Sequence, residues 1–389
     1  MTARRPALSL RLYGPTALRD PDGTYRAIRD AGQAVWLPRD RLWAIGRYAD
    51  VKAALRAADV FTSGSGVAGN PVTNRLGTHT VLASDGAAHT RRRGVMLDYL
   101  AARKVTALEQ TLLPRAERVV DALVRRGRFD AVADFGTALP VGVVADLVGL
   151  RRDGERMLRW AAATFDSLGG PNVRALRAAP QGLSLKLFGA RLRRAAVHPD
   201  SWAAGIFAAA ERGDISAAEA RAMVIDFTAP SLDTTILASA HMIMLLARDP
   251  ELWDAIRADE TLIGPMVAET VRISSPIRGF TRRVAVDTEV AGQPLAAGDR
   301  VALLFAAANS DERQFTRPES VDLTRPVNQQ LGWGHGPHAC VGMHLARLEM
   351  VALLSAMRSR VTTVTVTGPG TRLLNNTLQG YAALPAAFG

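Results

Sequence analysis

A single cysteine, Cys340, lies in the run WGHGPHACVG, which covers residues 333–342. A lone thiol forms neither an internal disulfide nor a zinc or iron–sulfur site that needs several cysteines. As a thiolate it acts as a nucleophile or as the axial ligand of a heme iron. Gly334, Gly336 and Pro337 favour a loop that lies flat against a large planar ligand, and Gly342 lets the next helix approach that ligand. The alternative is a buried structural cysteine, a common state of free cysteines.

The residues around Cys340 resemble the heme-binding signature of the cytochromes P450. In that family an aromatic residue stands seven positions before the cysteine, glycines six and four before, a basic residue two before and a glycine two after. In this chain those positions hold Trp333, Gly334, Gly336, His338 and Gly342. The resemblance implies that heme b is the cofactor and that Cys340 is the ligand of its iron. It also implies that Trp333, where most members have Phe, packs over the thiolate.

The segment APSLDTT, residues 229–235, resembles the family's oxygen-activation motif in a long central helix. Asp233 and Thr234 form an acid–alcohol pair, which the resemblance identifies as the catalytic proton relay. Pro230-Ser231 stand where the family usually has Ala-Gly. A proline inside a helix removes one amide donor and clashes with the carbonyl four residues before it, that of Asp226, at a cost of ~3 kcal/mol. We therefore expect a kink at Pro230, with the relay kept.

Two further groups of charged residues match the family. Glu269 and Arg272 are three residues apart and so face each other on a helix, and such pairs are usually solvated. Their position between the central helix and Cys340 implies a buried ion network, with Arg325 as the third member. The resemblance also implies that the heme carboxylates are held by His89, Arg93, Arg282 and His338, with Arg283 as an alternative to Arg282.

The sequence predicts a mainly α-helical fold with small β-sheets. Hydrophobic runs at residues 34–37 and 42–45 predict a hairpin, and further strands are expected at Arg283–Val290, Arg300–Leu304 and Val361–Thr367. Helical patterns cover residues 101–127 and 202–213. Ser216 and Glu219 form a capping box that opens a central helix over about residues 217–248.

No internal repeat or low-complexity linker divides the chain, so we expect one domain over residues 1–389. Its parts would be a β-rich N-terminal region at about 1–85, a helical core at about 86–360 and C-terminal strands at about 361–389. The resemblance implies the cytochrome P450 fold, with heme between the central helix and the cysteine loop. With no reductase or ferredoxin domain attached, electrons would come from separate proteins.

The net charge of +11 comes almost wholly from arginine. Nucleic-acid binding is disfavoured because the arginines are scattered and no nucleic-acid-binding module is recognised. We expect the charge to steer an acidic ferredoxin, served by its reductase, to the cysteine face. Candidate docking residues are Arg91, Arg92, Arg103, Lys104 and Arg347.

Neither a signal peptide nor a run of membrane-spanning length is expected, which predicts a cytoplasmic enzyme that binds no membrane. The chain resembles the soluble bacterial type of the family, which also implies O2 as co-substrate.

The resemblance implies a heme-thiolate monooxygenase that acts on a small hydrophobic substrate. The pattern favours a small aromatic acid or an aryl methyl ether, and a terpenoid or polyketide product is the alternative. A peroxide-driven enzyme and a heme-based sensor are the other classes considered. The predicted pocket includes Phe165, Ser231, Ile277, Arg278, Phe280 and Leu378, and Arg278 is a candidate partner for a substrate carboxylate.

Overall fold

The computed structural model describes residues 6–77, 79–149, 154–228 and 230–389. Helices account for about 56% of the chain, so the predicted mainly α-helical class is confirmed. The helices are α1 Pro15–Arg19, α2 Pro21–Ala31, α3 Tyr48–Arg56, α4 Pro71–Leu76, α5 Gly86–Leu100, α6 Ala102–Val105, α7 Glu109–Arg126, α8 Pro140–Val148, α9 Gly154–Ser167, α10 Val173–Arg191, α11 Trp202–Glu211, α12 Ala217–Thr228, α13 Pro230–Arg248, α14 Pro250–Ala258, α15 Ile263–Ser274, α16 Phe305–Asn309 and α17 Met343–Arg358.

Four small sheets flank the helices. The strands are β1 Val35–Leu37, β2 Leu42–Ile45, β3 Phe61–Thr62, β4 Arg128–Asp130, β5 Phe280–Val284, β6 Thr288–Val290, β7 Gln293–Leu295, β8 Arg300–Leu303, β9 Val364–Val366, β10 Thr371–Arg372, β11 Tyr381–Ala383 and β12 Pro385–Phe388. The largest sheet has the order β1-β2-β8-β5-β3, and β4-β12-β9 form a second. Strands β6 and β7 pair with each other, as do β10 and β11.

The central helix consists of α12 and α13, and Ala229, part of the predicted oxygen motif, lies outside the described residues. The predicted capping box is present at its start. The Glu219 amide donates to Ser216 Oγ at 3.2 Å, and the Ser216 amide donates to Glu219 Oε2 at 2.6 Å. Helix α13 is the core of the molecule, since twelve of its side chains are buried. Pro230 directly follows Ala229, so the kink expected at Pro230 stays a prediction.

The hairpin predicted at residues 34–45 is confirmed, with Trp36 opposite Trp43. The strand predicted over Arg283–Val290 is wrong in its bounds, because the chain leaves the large sheet after Val284 and starts a separate hairpin, β6–β7. Its turn is formed by Ala291 and Gly292, which have φ of +48° and +81°. Two consecutive positive φ angles are typical of a tight hairpin turn.

The description of residues 1–85 as β-rich is wrong in proportion, since α1 to α4 provide most of the regular structure there. Three of these helices have proline within their first two positions, a helix-start pattern that hydrophobic alternation does not detect. The terminal strand is shorter than predicted, at Val364–Val366. It pairs with β12, which also pairs with β4.

Two helical stretches among the described residues are long and apolar enough to cross a bilayer, Ala131–Val148 and Ala217–Arg248. The expectation that no run reaches membrane-spanning length is therefore wrong by the criteria of length and composition. They are 44% and 71% buried inside the protein. Because core helices of water-soluble proteins meet the same criteria, these stretches are weak support for membrane insertion.

The first prediction concerns Glu219. Burial alone would raise the pKa of Glu219, but hydrogen bonds from the Ser216 amide and from Arg92 and Arg91 outweigh it and lower the pKa to about 2. A lowered carboxyl pKa contributes stability that is present above the ordinary value of 4.5 and is lost as the pH falls toward 2. Glu219→Gln keeps a capping side chain but loses the charge. We expect it to lower the unfolding free energy at pH 7 by roughly 1–3 kcal/mol.

The matched control is Glu211→Gln, because Glu211 is 59% exposed and pairs with Arg194 on the surface. It should cost less than about 1 kcal/mol. Denaturant unfolding at pH 7 and pH 3 measures both variants. If Glu219→Gln lowers the unfolding free energy equally at pH 7 and pH 3, the charge of Glu219 is not the source of the stability.

Candidate active site

The cysteine loop is closed by its own backbone. The Cys340 amide donates to the Trp333 carbonyl at 2.7 Å, and Gly334 and Gly336 both have φ of +68°, where glycine is favoured. A Cβ on Gly336 would lie 2.4 Å from the carbonyl oxygen of Leu55, so only glycine fits against that neighbouring helix. The loop therefore presents Cys340 from a rigid backbone turn.

The environment of the Cys340 thiol has opposing effects on its pKa. The side chain is accessible, yet desolvation raises its pKa. Backbone hydrogen bonds from Gly342 and Met343, at the start of α17, and the charge of Arg93 act in the opposite direction and favour the thiolate. Amide donors and a nearby guanidinium are the groups that stabilise a ligating sulfur.

Four basic side chains, those of His89, Arg93, Arg282 and His338, form a cluster on the side of this thiol. The rings of His89 and His338 have centroids 4.2 Å apart. Arg282 is 3% exposed, and its Nη1 donates to the carbonyl oxygen of Thr281 at 2.9 Å. Burial lowers the pKa of Arg282 to about 10 and outweighs the opposing charge of Asp85. Burial, together with the charges of Arg282 and His89, lowers the pKa of His338 to about 4.

This basic cluster has one nearby carboxylate, Asp85, whose Oδ1 lies 3.5 Å from His338 Nε2. The same carboxylate accepts the amides of Ser63 and Gly64 at 3.0 and 2.5 Å. His89 Nε2 is buried with no hydrogen-bond partner in the described part of the chain. The donor set therefore fits a planar group that carries two carboxylates and an iron, which is the chemistry of heme b.

Asp233 and Thr234 lie on α13. Asp233 Oδ2 is buried and has no partner within the described ranges, and burial raises the pKa of Asp233 to about 7. The Thr234 hydroxyl donates to the Pro230 carbonyl at 2.9 Å. A carboxyl group with this pKa can both hold and release a proton near neutral pH, as a proton relay requires.

Glu269, Arg272 and Arg325 form an ion network. Arg272 Nε lies 2.6 Å from Glu269 Oε1, and Arg325 Nη1 lies 2.7 Å from Glu269 Oε2. Arg272 is 1% exposed and also donates to three backbone carbonyls. Those acceptors are Asn309, Pro318 and Ser320. The network thus joins α15 to the segment that leads toward the cysteine loop.

The structure brings part of the predicted pocket together. Phe165, Leu237 and Leu378 form one apolar cluster, and Ile277 packs against it through a β-bridge with Leu378. Ser231, which follows Pro230 on α13, is half-buried. Phe280 packs elsewhere, edge-on against Phe305 at 6.0 Å between ring centroids.

Arg278 is already held by protein groups. Its Nε donates to the Tyr25 hydroxyl at 2.9 Å and its Nη2 to the Ala17 carbonyl at 3.0 Å. The guanidinium also lies over the Tyr25 ring. Arg278 therefore supports the N-terminal helices. Because two of its three nitrogen atoms are already bonded to protein groups, the structure argues against the hypothesis that Arg278 binds a substrate carboxylate.

Sequence reasoning missed two carboxylates near the site, Asp85 and Asp226. Asp85 directly precedes α5, which carries His89. Its residue type alone did not predict that it accepts the backbone amides of a distant loop, those of Ser63 and Gly64. Asp226 lies eight residues before Thr234 on the central helix, and that spacing of two helical turns was available in the sequence.

The second prediction tests the ion network. Arg272→Leu leaves Glu269 buried with one partner fewer, so we expect a loss of ~3–5 kcal/mol in unfolding free energy. Arg159→Leu is the control, since its pair with Glu155 is exposed and should be worth less than about 1 kcal/mol. Chemical unfolding measures both, and equal losses would remove any special role for the network.

The third prediction compares neighbouring arginines. We expect Arg282→Met to speed heme loss by about tenfold or more, because it removes a charge-assisted bond to a heme carboxylate. Arg283→Met is the matched control, since Arg283 is exposed. Transfer of heme to an excess of a scavenging globin measures the rates. Faster loss from Arg283→Met alone would reverse the assignment.

Comparison with known proteins gives one consistent answer. The family profile described as Cytochrome P450 matches residues 198–362. Cytochrome p450 CYP199A2 of Rhodopseudomonas palustris is 32% identical over 386 residues, covering 98% of this chain and 94% of that protein. Cyclomarin C epoxidase CymV of Salinispora arenicola is 33% identical and covers 84% of this chain and 85% of its own length.

Solved structures agree with the sequence relatives. Mycobacterium marinum cytochrome P450 CYP268A2 in complex with pseudoionone superposes with a TM-score of 0.88 at 26% identity, with 100% of both chains covered. Proteins of this family bind heme b, in agreement with the donor set around Cys340. The chain belongs to the cytochrome P450 family and is a bacterial-type monooxygenase.

Proposed function

We propose that the chain hydroxylates or O-demethylates a small hydrophobic substrate, with O2 and with electrons from an acidic ferredoxin and its reductase. The observation that carries this proposal is the buried Asp233 Oδ2, which has no hydrogen-bond partner among the described residues. It lies beside Thr234 on the central helix of a fold whose loop presents Cys340. A carrier or sensor has no need of a proton relay.

Bound heme would supply O2 binding and oxidation, with a thiolate ligand that favours O–O cleavage. Cys340 would ligate the iron, while Trp333 and Gly342 shape the loop around it. His89, Arg93, Arg282 and His338 would hold the heme carboxylates. Asp233 would take a proton from solvent and Thr234 would pass it onward, since its hydroxyl both donates and accepts.

The apolar cluster of Phe165, Leu237, Ile277 and Leu378 supports a hydrophobic substrate. An aryl methyl ether is favoured over an aromatic acid, because Arg278 is engaged by Tyr25 and Ala17. A terpenoid or polyketide tailoring role is the second candidate. It is supported by the relatives named as a cyclomarin C epoxidase and as a complex with pseudoionone.

Electron delivery would use the cysteine face. Arg103, Lys104 and Arg347 are exposed and suit an acidic donor. Arg91 and Arg92 are tied to Glu219 at 2.7 Å each, so we remove them from the expected docking patch. We further propose one domain over the whole chain and a cytoplasmic location.

The fourth prediction tests the reaction class. In Thr234→Val the proton relay is cut, so the share of electrons that ends in product should fall about tenfold or more, with peroxide released instead. Thr235→Val is the control, because Thr235 is buried beside it. The assay uses a surrogate ferredoxin and reductase, with an aryl methyl ether that shifts the heme spectrum, and measures product, peroxide and O2 uptake.

Three outcomes would contradict the proposal. Product formed from added peroxide but not from the electron donor would identify a peroxide-driven enzyme. A ligand response without product from either source would identify a sensor. A carbonyl spectrum of the thiolate type that persists in Cys340→Ser would remove the assigned iron ligand.

A further inference from the structure

Several side chains of the central helix are incompletely buried among the described residues of α12 and α13. Ala222, Ile225, Asp226, Asp233 and Thr234 are half-buried, and Asp226 and Asp233 are seven residues apart, close to two helical turns. Neighbouring side chains are packed in the core, and these are Met223, Val224, Phe227, Leu232, Thr235 and Ile236. Asp226 therefore shares the face that carries the proton relay.

Asp226 is half-buried against the loop that contains Val81. Desolvation raises the pKa of Asp226 to about 7 although its side chain is only half-buried. An accessible carboxylate in contact with bulk water would keep its ordinary pKa. Asp226 thus combines accessibility with a dry surrounding, as Cys340 does.

The carboxylate is only partly engaged. Asp226 Oδ2 accepts the Val81 amide at 2.9 Å, while Oδ1 has no hydrogen-bond partner among the described residues. Burial raises the pKa of Asp226 and outweighs the opposing effects of the Val81 amide and of the nearby cation, Arg92. Its Nε is committed to Glu219 and its Nη1 to the Thr80 carbonyl. One oxygen of a desolvated acid therefore remains available.

The loop that contacts Asp226 also leads into the active site. The Ser84 hydroxyl donates to the Val81 carbonyl at 2.8 Å, and the next residue, Asp85, lies beside His338. Along the helix, Asp226 and Thr234 are separated by eight residues, or roughly 12 Å of helical rise. That distance matches the length of a small aromatic molecule with one side chain.

We propose that Asp226 binds a protonated amine at one end of the substrate, so that the enzyme oxidises small hydrophobic amines. The amine would donate to Oδ1 while the apolar part extends toward Thr234. A substrate carboxylate at the same place would be repelled. The inference rests on the proposed monooxygenase function and specifies the substrate class for it.

The alternative role of Asp226 is purely structural, as a tether for the Val81 amide. Asp226→Asn separates the two roles, since the amide side chain can still accept that hydrogen bond through its oxygen but carries no charge. Asp98→Asn is the matched control, because Asp98 is an exposed acid on α5 and its loss changes the net charge equally.

The fifth prediction uses the heme-loaded protein and three ligands of similar shape: N,N-dimethylbenzylamine as the cation, isobutylbenzene as the neutral isostere and phenylacetate as the anion. Optical and calorimetric titrations give the dissociation constants. We expect the wild type to bind the amine at least tenfold more tightly than isobutylbenzene, and phenylacetate most weakly. Asp226→Asn should abolish the amine preference and leave isobutylbenzene unchanged, while Asp98→Asn leaves both unchanged.

Amine affinity should also weaken as the pH falls through about 7, while the affinity for isobutylbenzene stays constant. Parallel weakening of both ligands in Asp226→Asn would show the tether role alone and overturn the proposal. So would a wild type without amine preference. Calorimetry detects amine binding independently of the heme spectrum, so an absent thiolate-type spectrum would count against the proposed function and not against the amine site.

Discussion

The buried positive charge beside Cys340 is the constraint on which the rest of the site depends. The guanidinium groups of Arg93 and Arg282 lie there with His89 and His338, two histidines whose pKa values are lowered by burial, and within the described residues Asp85 is the carboxylate that contacts His338. Unpaired charge in a desolvated region is costly, and two heme carboxylates would be suitable partners for it. The charge of Arg93 favours a thiolate at Cys340. Cofactor retention and the state of the iron ligand would then share one electrostatic origin.

A second set of charges, which pair with one another, stabilises the segment before the cysteine loop. Glu269 neutralises Arg272 and Arg325, and Arg272 satisfies three carbonyls of the segment before the cysteine loop. Because all these groups are paired, the network holds the loop without competing for the heme carboxylates. The two charge systems differ in this respect: Glu269 pairs with both arginines of the first, whereas the second would be completed by the heme carboxylates.

The central helix provides the reactive side of the cleft. Twelve side chains of α13 are packed into the core, while the described residues offer no hydrogen-bond partner to Asp233 Oδ2. Asp226 and Asp233 both have a pKa raised to about 7 by burial. Two such acids would allow separate tasks, proton transfer beside Thr234 and substrate recognition by Asp226.

The sequence alone determined the family, the cofactor and the capped central helix, because these depend on local spacing around Cys340, Asp233 and Ser216. It also predicted the hairpin at residues 34–45 from alternation. Tertiary structure decided what side-chain types cannot specify: that Arg278 is held by Tyr25 and that Phe280 packs on Phe305. It also decided that Asp85 contacts His338 and that Asp226 accepts the Val81 amide. Accessibility, desolvation and pairing depend on residues distant in the chain, so their consequences for charge appear only once the chain is folded.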